Sequence, residues 1–205
     1  MIAVIDYGVG NLRSLVCALN HIKAECMVTS DKRAIEAADK IILPGVGAFG
    51  DASLKLRSTG LDKVITAQAK NGKPLMGICL GMQLLYERGF EYGEHEGLGL
   101  IDGDIRPLTQ EILGGALKIP HMGWNKLEIH VDTPLLVDVR DGDFVYYVHS
   151  YFAQVSDDTV AVSRYGDAEI TGMVQRGNIF GAQFHPEKSG SAGLEILRAF
   201  AGLKQ

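Results

Sequence analysis

The sequence predicts an α/β protein: a mixed, mainly parallel, doubly wound sheet flanked by helices, with antiparallel additions in its second half. Three observations carry that expectation. Short apolar, β-branched runs alternate with helix-period segments through the first half, the pattern of a parallel sheet covered on both faces. Many of the 25 glycines close those runs, as in the pairs Gly8 and Gly10, Gly45 and Gly47, and Gly77 and Gly81. A sheet-based enzyme needs tight turns or close backbone approach at such places. The second half then changes to strand-like segments separated by turns.

In order, Ile2–Ile5 reads as a buried strand. A glycine turn leads to a helix over Asn11–Lys23, where Leu12, Leu15, Val16, Leu19 and Ile22 recur at helical spacing. Cys26–Thr29 is the second strand, and Lys40–Leu43 the third, ending at Pro44-Gly45. Helices follow over Phe49–Arg57 and Leu61–Lys70. The fourth strand, Pro74–Ile78, runs into a helix over Leu80–Glu87. Beyond it Leu117–Ile119, Lys126–Ile129, Phe144–His149, Val160–Tyr165, Ile170–Val174 and Asn178–Phe184 read as strands. Gly193–Leu203 is the closing helix. No repeat, low-complexity tract or long linker divides residues 1–205, so one domain is expected.

Composition narrows the function classes. A hydrophobic fraction of 46% and a charged fraction of 22% are ordinary for a globular chain. A net charge of −5 with no Lys/Arg run argues against a nucleic-acid-binding face. Met1–Asp6 lacks the basic region and long apolar run of a signal peptide, and no stretch approaches the roughly 20 apolar residues of a membrane helix. The odd set Cys17, Cys26 and Cys79 has no metal-like spacing. A cytoplasmic protein with reduced thiols is expected, with no metal site and no cofactor.

The sharpest chemistry lies in Gly77-Ile78-Cys79-Leu80-Gly81-Met82-Gln83. An apolar strand ends in Gly-x-Cys-x-Gly and passes directly into a helix, the thiol counterpart of a nucleophile elbow. The start of the helix favours a negatively charged sulfur, and the N–H of Leu80 points toward an oxyanion formed beside it. A free cysteine is ordinarily a packing residue, which is the reading for Cys17 and Cys26. Two glycines at this spacing set Cys79 apart.

A thiol needs a base. Phe184-His185-Pro186-Glu187 closes a strand, and Pro186 keeps His185 extended. Glu187 can accept a hydrogen bond from the second ring nitrogen, setting the tautomer and stabilising the imidazolium. His21 on a helix, His95 between Glu94 and Glu96, and His130 in a polar turn compete less well. The third element, Pro44-Gly45-Val46-Gly47, is a glycine-rich turn whose N–H groups can bind an anion. It lacks the Lys-Ser/Thr of a P-loop, and a second oxyanion donor fits it better.

These three segments resemble, in order and approximate spacing, the signatures of class I, triad-type glutamine amidotransferases, whose fold is flavodoxin-like. The resemblance implies that Cys79 attacks the carboxamide of glutamine, releasing ammonia and leaving a glutamyl thioester that water hydrolyses. It makes His185 the proton shuttle and Glu187 its orienting partner. Gln83, Ser150 and Tyr151 then belong to the glutamine pocket, with Gly45, Val46, Gly47 and Leu80 around the carbonyl oxygen. His149 is read as structural or near an interface.

Three further runs are similar to the glutaminase subunits of imidazole glycerol phosphate synthase: Ile5-Asp6-Tyr7-Gly8-Val9-Gly10-Asn11-Leu12-Arg13-Ser14-Leu15, Pro120-His121-Met122-Gly123-Trp124-Asn125 and Tyr147-Val148-His149-Ser150-Tyr151-Phe152. The extension through Lys188-Ser189-Gly190 points the same way. With no synthase domain in the chain, the resemblance implies a heterodimer with a (β/α)8-barrel cyclase. That partner would receive ammonia and make imidazole glycerol phosphate and an aminoimidazole-carboxamide ribotide, in histidine biosynthesis. Such glutaminases are nearly silent until the partner binds its nucleotide, and a peptide flip at Val46 would present the oxyanion donor. Pro120, His121, Met122, Gly123, Trp124 and Asn125 are the expected docking surface, with Asn11 and Lys188 beside it; an exposed Trp suits an interface anchor. Two enzyme readings remain beside this one, a subunit of anthranilate, aminodeoxychorismate or pyridoxal phosphate synthase, and a stand-alone cysteine hydrolase. A non-catalytic binding module is the third alternative.

Overall fold

The apolar runs of the first half become parallel strands in the computed structural model, which describes residues 1–111 and 117–204. The order is β1 (Ile2–Ile5), α1 (Leu12–His21), β2 (Cys26–Thr29), α2 (Lys32–Ala37), β3 (Lys40–Gly45), α3 (Phe49–Thr59), α4 (Leu61–Lys70) and β4 (Leu75–Cys79). Alternate residues of these strands feed two cores. Val4, Ile42, Met76 and Ile78 pack with Leu15 and Leu19 of α1 on one face. Ala3, Ile5, Ile41, Leu43 and Leu75 pack with Ile35, Leu56 and Ile65 of α2, α3 and α4 on the other. Burial on both faces is why the strands read as unbroken apolar runs rather than alternating ones.

Helix α2 has no counterpart in the sequence reading. Six residues are too few to show an apolar period, and Ile35 is its one buried anchor. Its signal was local: Asp31 caps it, accepting from Arg33 N–H at 3.1 Å.

After β4 the expected helix over Leu80–Glu87 stops early. Helix α5 covers Leu80–Gln83, and β5 (Tyr86–Gly89) follows, with β6 (His95–Glu96) and β7 (Ile101–Pro107). The carbonyls of Leu84, Leu85 and Tyr86 accept from Leu98, Leu100 and Gly99 respectively. Long-range partners thus replace the i+4 donors a helix would need. Leu84, Leu85 and Tyr86 are all buried, so the apolar run fits either state and its periodicity could not separate them.

The second half supplies β8 (His121–Lys126), β9 (Glu128–Ile129), β10 (Phe144–His149), β11 (Tyr151–Ala153), β12 (Thr159–Tyr165), β13 (Ala168–Arg176), β14 (Ile179–Ala182) and α6 (Gly190–Gly202). Leu117–Ile119 is not a strand; pairing begins at His121, just after Pro120, which has no N–H to give a ladder. The main sheet runs β2-β1-β3-β4-β14-β13-β12-β9. Its first five strands are parallel and the last three antiparallel, as the sequence predicts. Strand β8 pairs with β10 as a separate ribbon, and β11-β7-β5-β6 form a four-stranded sheet that the sequence reading lacked.

Neighbouring parallel strands β3, β4 and β14 end at one edge, with Gly45 level with Cys79. Such a carboxyl edge is where doubly wound sheets place ligands. The glycines flanking Cys79 serve proximity rather than backbone freedom. A Cβ at Gly81 would lie 1.8 Å from Leu43 O, and one at Gly77 would lie 2.6 Å from Gly81 O. Gly81→Ala is therefore expected to destabilise the fold by roughly 3 kcal/mol, seen as a lower urea midpoint. An unchanged midpoint would show that β3 and α5 can part without cost.

Candidate active site

The strand-to-helix turn holds Cys79 at φ 54°, ψ −112°, a region that side chains rarely occupy. This strained position brings the thiol to the sheet edge, where it is 6% exposed. Its sulfur lies 3.9 Å from Val148 O and 3.9 Å from Gln183 Nε2. Helix α5 is a single turn, so it offers the sulfur little dipole. Charge support comes instead from His185.

His185 leaves β14 in extended conformation, φ −98° and ψ 99°, and Pro186 opens a 3-10 turn over Pro186–Lys188. Its N–H donates to Tyr146 O at 2.9 Å. Ser189 Oγ donates to His185 O at 2.7 Å and accepts from Tyr146 N–H at 3.0 Å. These bonds pin the turn to β10 from both sides. Within it, His185 Nδ1 donates to Glu187 Oε1 at 2.9 Å, and both side chains are 3% exposed.

Nε2 of His185 is buried without a hydrogen-bond partner, and His185 lines the same cavity as Cys79. Burial is the largest influence on its titration and favours the neutral ring. The nearby Cys79 sulfur and the Glu187 carboxylate together outweigh it and raise the pKa to about 9. The imidazolium is the resting form at neutral pH.

The cavity above these groups has a volume near 300 Å³, enough for a small amino-acid substrate. Val46, Gly47, Leu80, Gln83, Ser150 and Tyr151 all line it. Freedom at the Val46 turn is one-sided. Gly47 has φ 101° and open space around it, whereas a Cβ at Gly45 would meet Gly81 N at 2.7 Å and Tyr7 Oη at 2.9 Å. Gln83 Nε2 donates to Tyr151 O at 2.8 Å and to Gln183 Oε1 at 3.0 Å.

The sequence reading missed Glu91 and Gln183. Glu91 lines the cavity and its Oε2 accepts from Phe49 N–H at 2.7 Å; nothing in its loop sequence marks it. Gln183 is fully buried next to the sulfur, and its place two residues before His185, just past β14, was the available signal. His149, read as structural, also lines the cavity.

The expected docking residues divide. Met122 and Trp124 are 61% and 54% exposed, and Pro120, Asn11 and Lys188 are also at the surface. Trp124 packs edge-on against Tyr146 at 6.0 Å, and Lys188 Nζ lies 5.8 Å from that same ring. Gly123 is half-buried at φ 132°. His121 is a correction: it is 3% exposed, stacked between Tyr147 and Tyr165 at 4.7 and 4.2 Å. The period of β8 turns 121 inward where 122 and 124 face out. Asn125 is half-buried and spends its amide on Arg164 O and on Lys126 N.

Among the described residues, no group of three His, Cys, Asp or Glu side chains could hold a metal ion, and no helix is long and apolar enough to cross a membrane.

Residues 3–202 match the family described as glutamine amidotransferase class-I. The chain is similar to imidazole glycerol phosphate synthase subunit HisH of Bacillus cereus, 52% identical over 204 residues that cover 99% of this chain and 95% of that one. The subunit of the same name from Oceanobacillus iheyensis is 48% identical, covering 98% of each. Among solved structures, PurLQS from Thermotoga maritima superposes with a TM-score of 0.72 at 23% identity, covering 97% of this chain and 96% of that one. A crystal structure of a glutamine amidotransferase gives 0.75 at 19%, covering 99% and 100%.

Proposed function

The chain belongs to the class I glutamine amidotransferase family, and from that premise we propose that Cys79, His185 and Glu187 hydrolyse glutamine within one domain spanning residues 1–205. The function is that of the glutaminase subunit of imidazole glycerol phosphate synthase, in histidine biosynthesis, the name carried by relatives at about half identity over nearly the whole chain. The observation that carries the residue roles is the cavity floor, where the strained Cys79 meets a His185 held by Glu187.

Glutamine enters with its carboxamide over the sulfur. The carboxylate of Glu91, fixed by Phe49 N–H, offers its α-ammonium a counter-charge, and Gln83, Ser150 and Tyr151 frame the rest. Sulfur attacks the carboxamide carbon, a C–S bond forms, and the carbonyl oxygen becomes an anion. N–H groups of Leu80 and of the turn at Val46 receive that charge. Collapse breaks the C–N bond, and the proton of His185 leaves on ammonia. The now neutral His185 takes a proton from water, whose oxygen attacks the thioester and frees glutamate. Glu187 holds the ring throughout.

The subunit works in a complex with a cyclase. We assign the cyclase a (β/α)8 barrel seated on Pro120, Met122 and Trp124 of the β8 face, with Asn11 and Lys188 at its margin. An exposed Trp and Met match the composition of an interface core, with the Lys188 cation at its polar rim. A cytoplasmic setting, which keeps Cys79 reduced, suits the chemistry.

The test is glutamate production by the chain alone and with the cyclase and its nucleotide. Near silence alone and strong stimulation together are expected; vigorous turnover by the isolated chain would favour a stand-alone hydrolase. Val46→Pro, which removes the Val46 N–H, is expected to lower stimulated kcat by about 10²-fold. Full stimulated activity in that variant would remove Val46 from the oxyanion site.

A further inference from the structure

Two histidines outside the triad lie buried between the β8 face and the glutamine cavity. His121 and His149 stand opposite each other across β8 and β10, and His121 Nδ1 is 3.0 Å from His149 Nε2. Burial lowers the pKa of His121 to about 4; burial, then the neighbouring His121, lowers that of His149 to about 3. Both rings are neutral, so each nitrogen has one role.

The ends of the chain fix those roles. Tyr151 O, 3.0 Å from His149 Nδ1, can only accept, so Nδ1 carries the hydrogen. His149 Nε2 is then bare and accepts from His121 Nδ1–H. His121 Nε2 accepts in turn from Asn125 Nδ2, 3.3 Å away, an amide anchored on Arg164 O at 2.8 Å. His121 thereby does for His149 what a carboxylate does for a catalytic imidazole: it selects the tautomer. At the inner end, Tyr151 O also accepts from Gln83 Nε2. The orientation of Gln83 in the cavity thus depends on a carbonyl that His149 holds.

We propose that His149 is a positioning residue for glutamine binding: its Nδ1–H fixes the Tyr151 carbonyl and through it Gln83, and His121 holds His149 in the tautomer that can do so. The proposal rests on the glutaminase reading of the cavity. It assigns the pair no proton transfer, since every hydrogen along the chain is already committed in one direction.

Glutamine KM and kcat of the assembled complex, supplied with the cyclase's nucleotide, test it through two amides of similar bulk. In His149→Asn the side-chain N–H sits where Nδ1–H sat and can still donate to Tyr151 O. In His149→Gln the amide reaches His121 but not that carbonyl. Loss of one hydrogen bond at the site corresponds to about tenfold in binding. His149→Gln is therefore expected to raise KM about tenfold with kcat within about threefold, while His149→Asn stays within about threefold of wild type in both. His121→Phe should raise KM in the wild-type background and leave it unchanged in the His149→Asn background, where no tautomer remains to be set. Equal KM values for the Asn and Gln variants, or a His121→Phe effect that persists beside His149→Asn, would overturn the assignment. A wild-type complex that releases no glutamate would instead sink the glutaminase reading itself.

Discussion

Replacing Cys79 with alanine is expected to lower glutamine hydrolysis by about 10⁴-fold or more while changing stability by less than about 1 kcal/mol. In the proposed mechanism the sulfur is the atom that bonds to substrate, and its neighbours are acceptors and donors at 3.9 Å, so little packing is lost with it. Cys79→Gly separates chemistry from strain. The backbone at φ 54°, ψ −112° is costly for any residue with a Cβ, and releasing it is worth about 1–3 kcal/mol. The glycine variant should be as inactive as the alanine one yet unfold at a higher urea concentration. Residual turnover above a few per cent of wild type would point to a second nucleophile. Identical midpoints for the two variants would show that the elbow stores no strain.

How much of this was legible in the sequence depended on how local the determinants were. Strands β1 and β2 were readable to the residue, because each is a short apolar run bounded by polar or turn residues. Cys79, His185 and Glu187 stand out as candidates because Cys79 ends β4 between two glycines and His185-Pro186-Glu187 follows closely on β14. The β5–β7 region was not readable, since Leu84, Leu85 and Tyr86 find their donors at Leu98, Leu100 and Gly99, and no window around residue 85 contains those partners. Glu91 escaped for the same reason. Its role follows from Phe49, 42 residues away. His121 shows the opposite failure. The resemblance presents Pro120–Asn125 as one surface, although strand alternation sends neighbours to opposite faces. The period of two in that run turns His121 inward.

Glu187→Gln is expected to cost about 10²- to 10⁴-fold in kcat, by analogy with the loss seen when the orienting acid of a serine protease triad becomes an amide. Its more specific signature is in stability against pH. Folding raises the His185 pKa from an ordinary 6.5 to about 9. The folded state therefore binds the proton more tightly than the unfolded chain. That contribution is fully present below pH 6.5 and lost as pH rises through about 9. His121 and His149 act with the opposite sign. Their folded values near 4 and 3 mean the unfolded chain gains protons first, so stability falls as pH drops below 6.5. Stability from these three rings should peak near neutrality. In Glu187→Gln the imidazolium loses its buried anion, the alkaline limb between pH 6.5 and 9 should flatten, and the acid limb should remain. Urea midpoints measured from pH 5 to pH 9.5 on both proteins decide the matter. An alkaline limb of unchanged slope would mean that Cys79 alone holds the proton on His185. A flattened acid limb would mean that the buried histidine pair does not titrate independently of the triad.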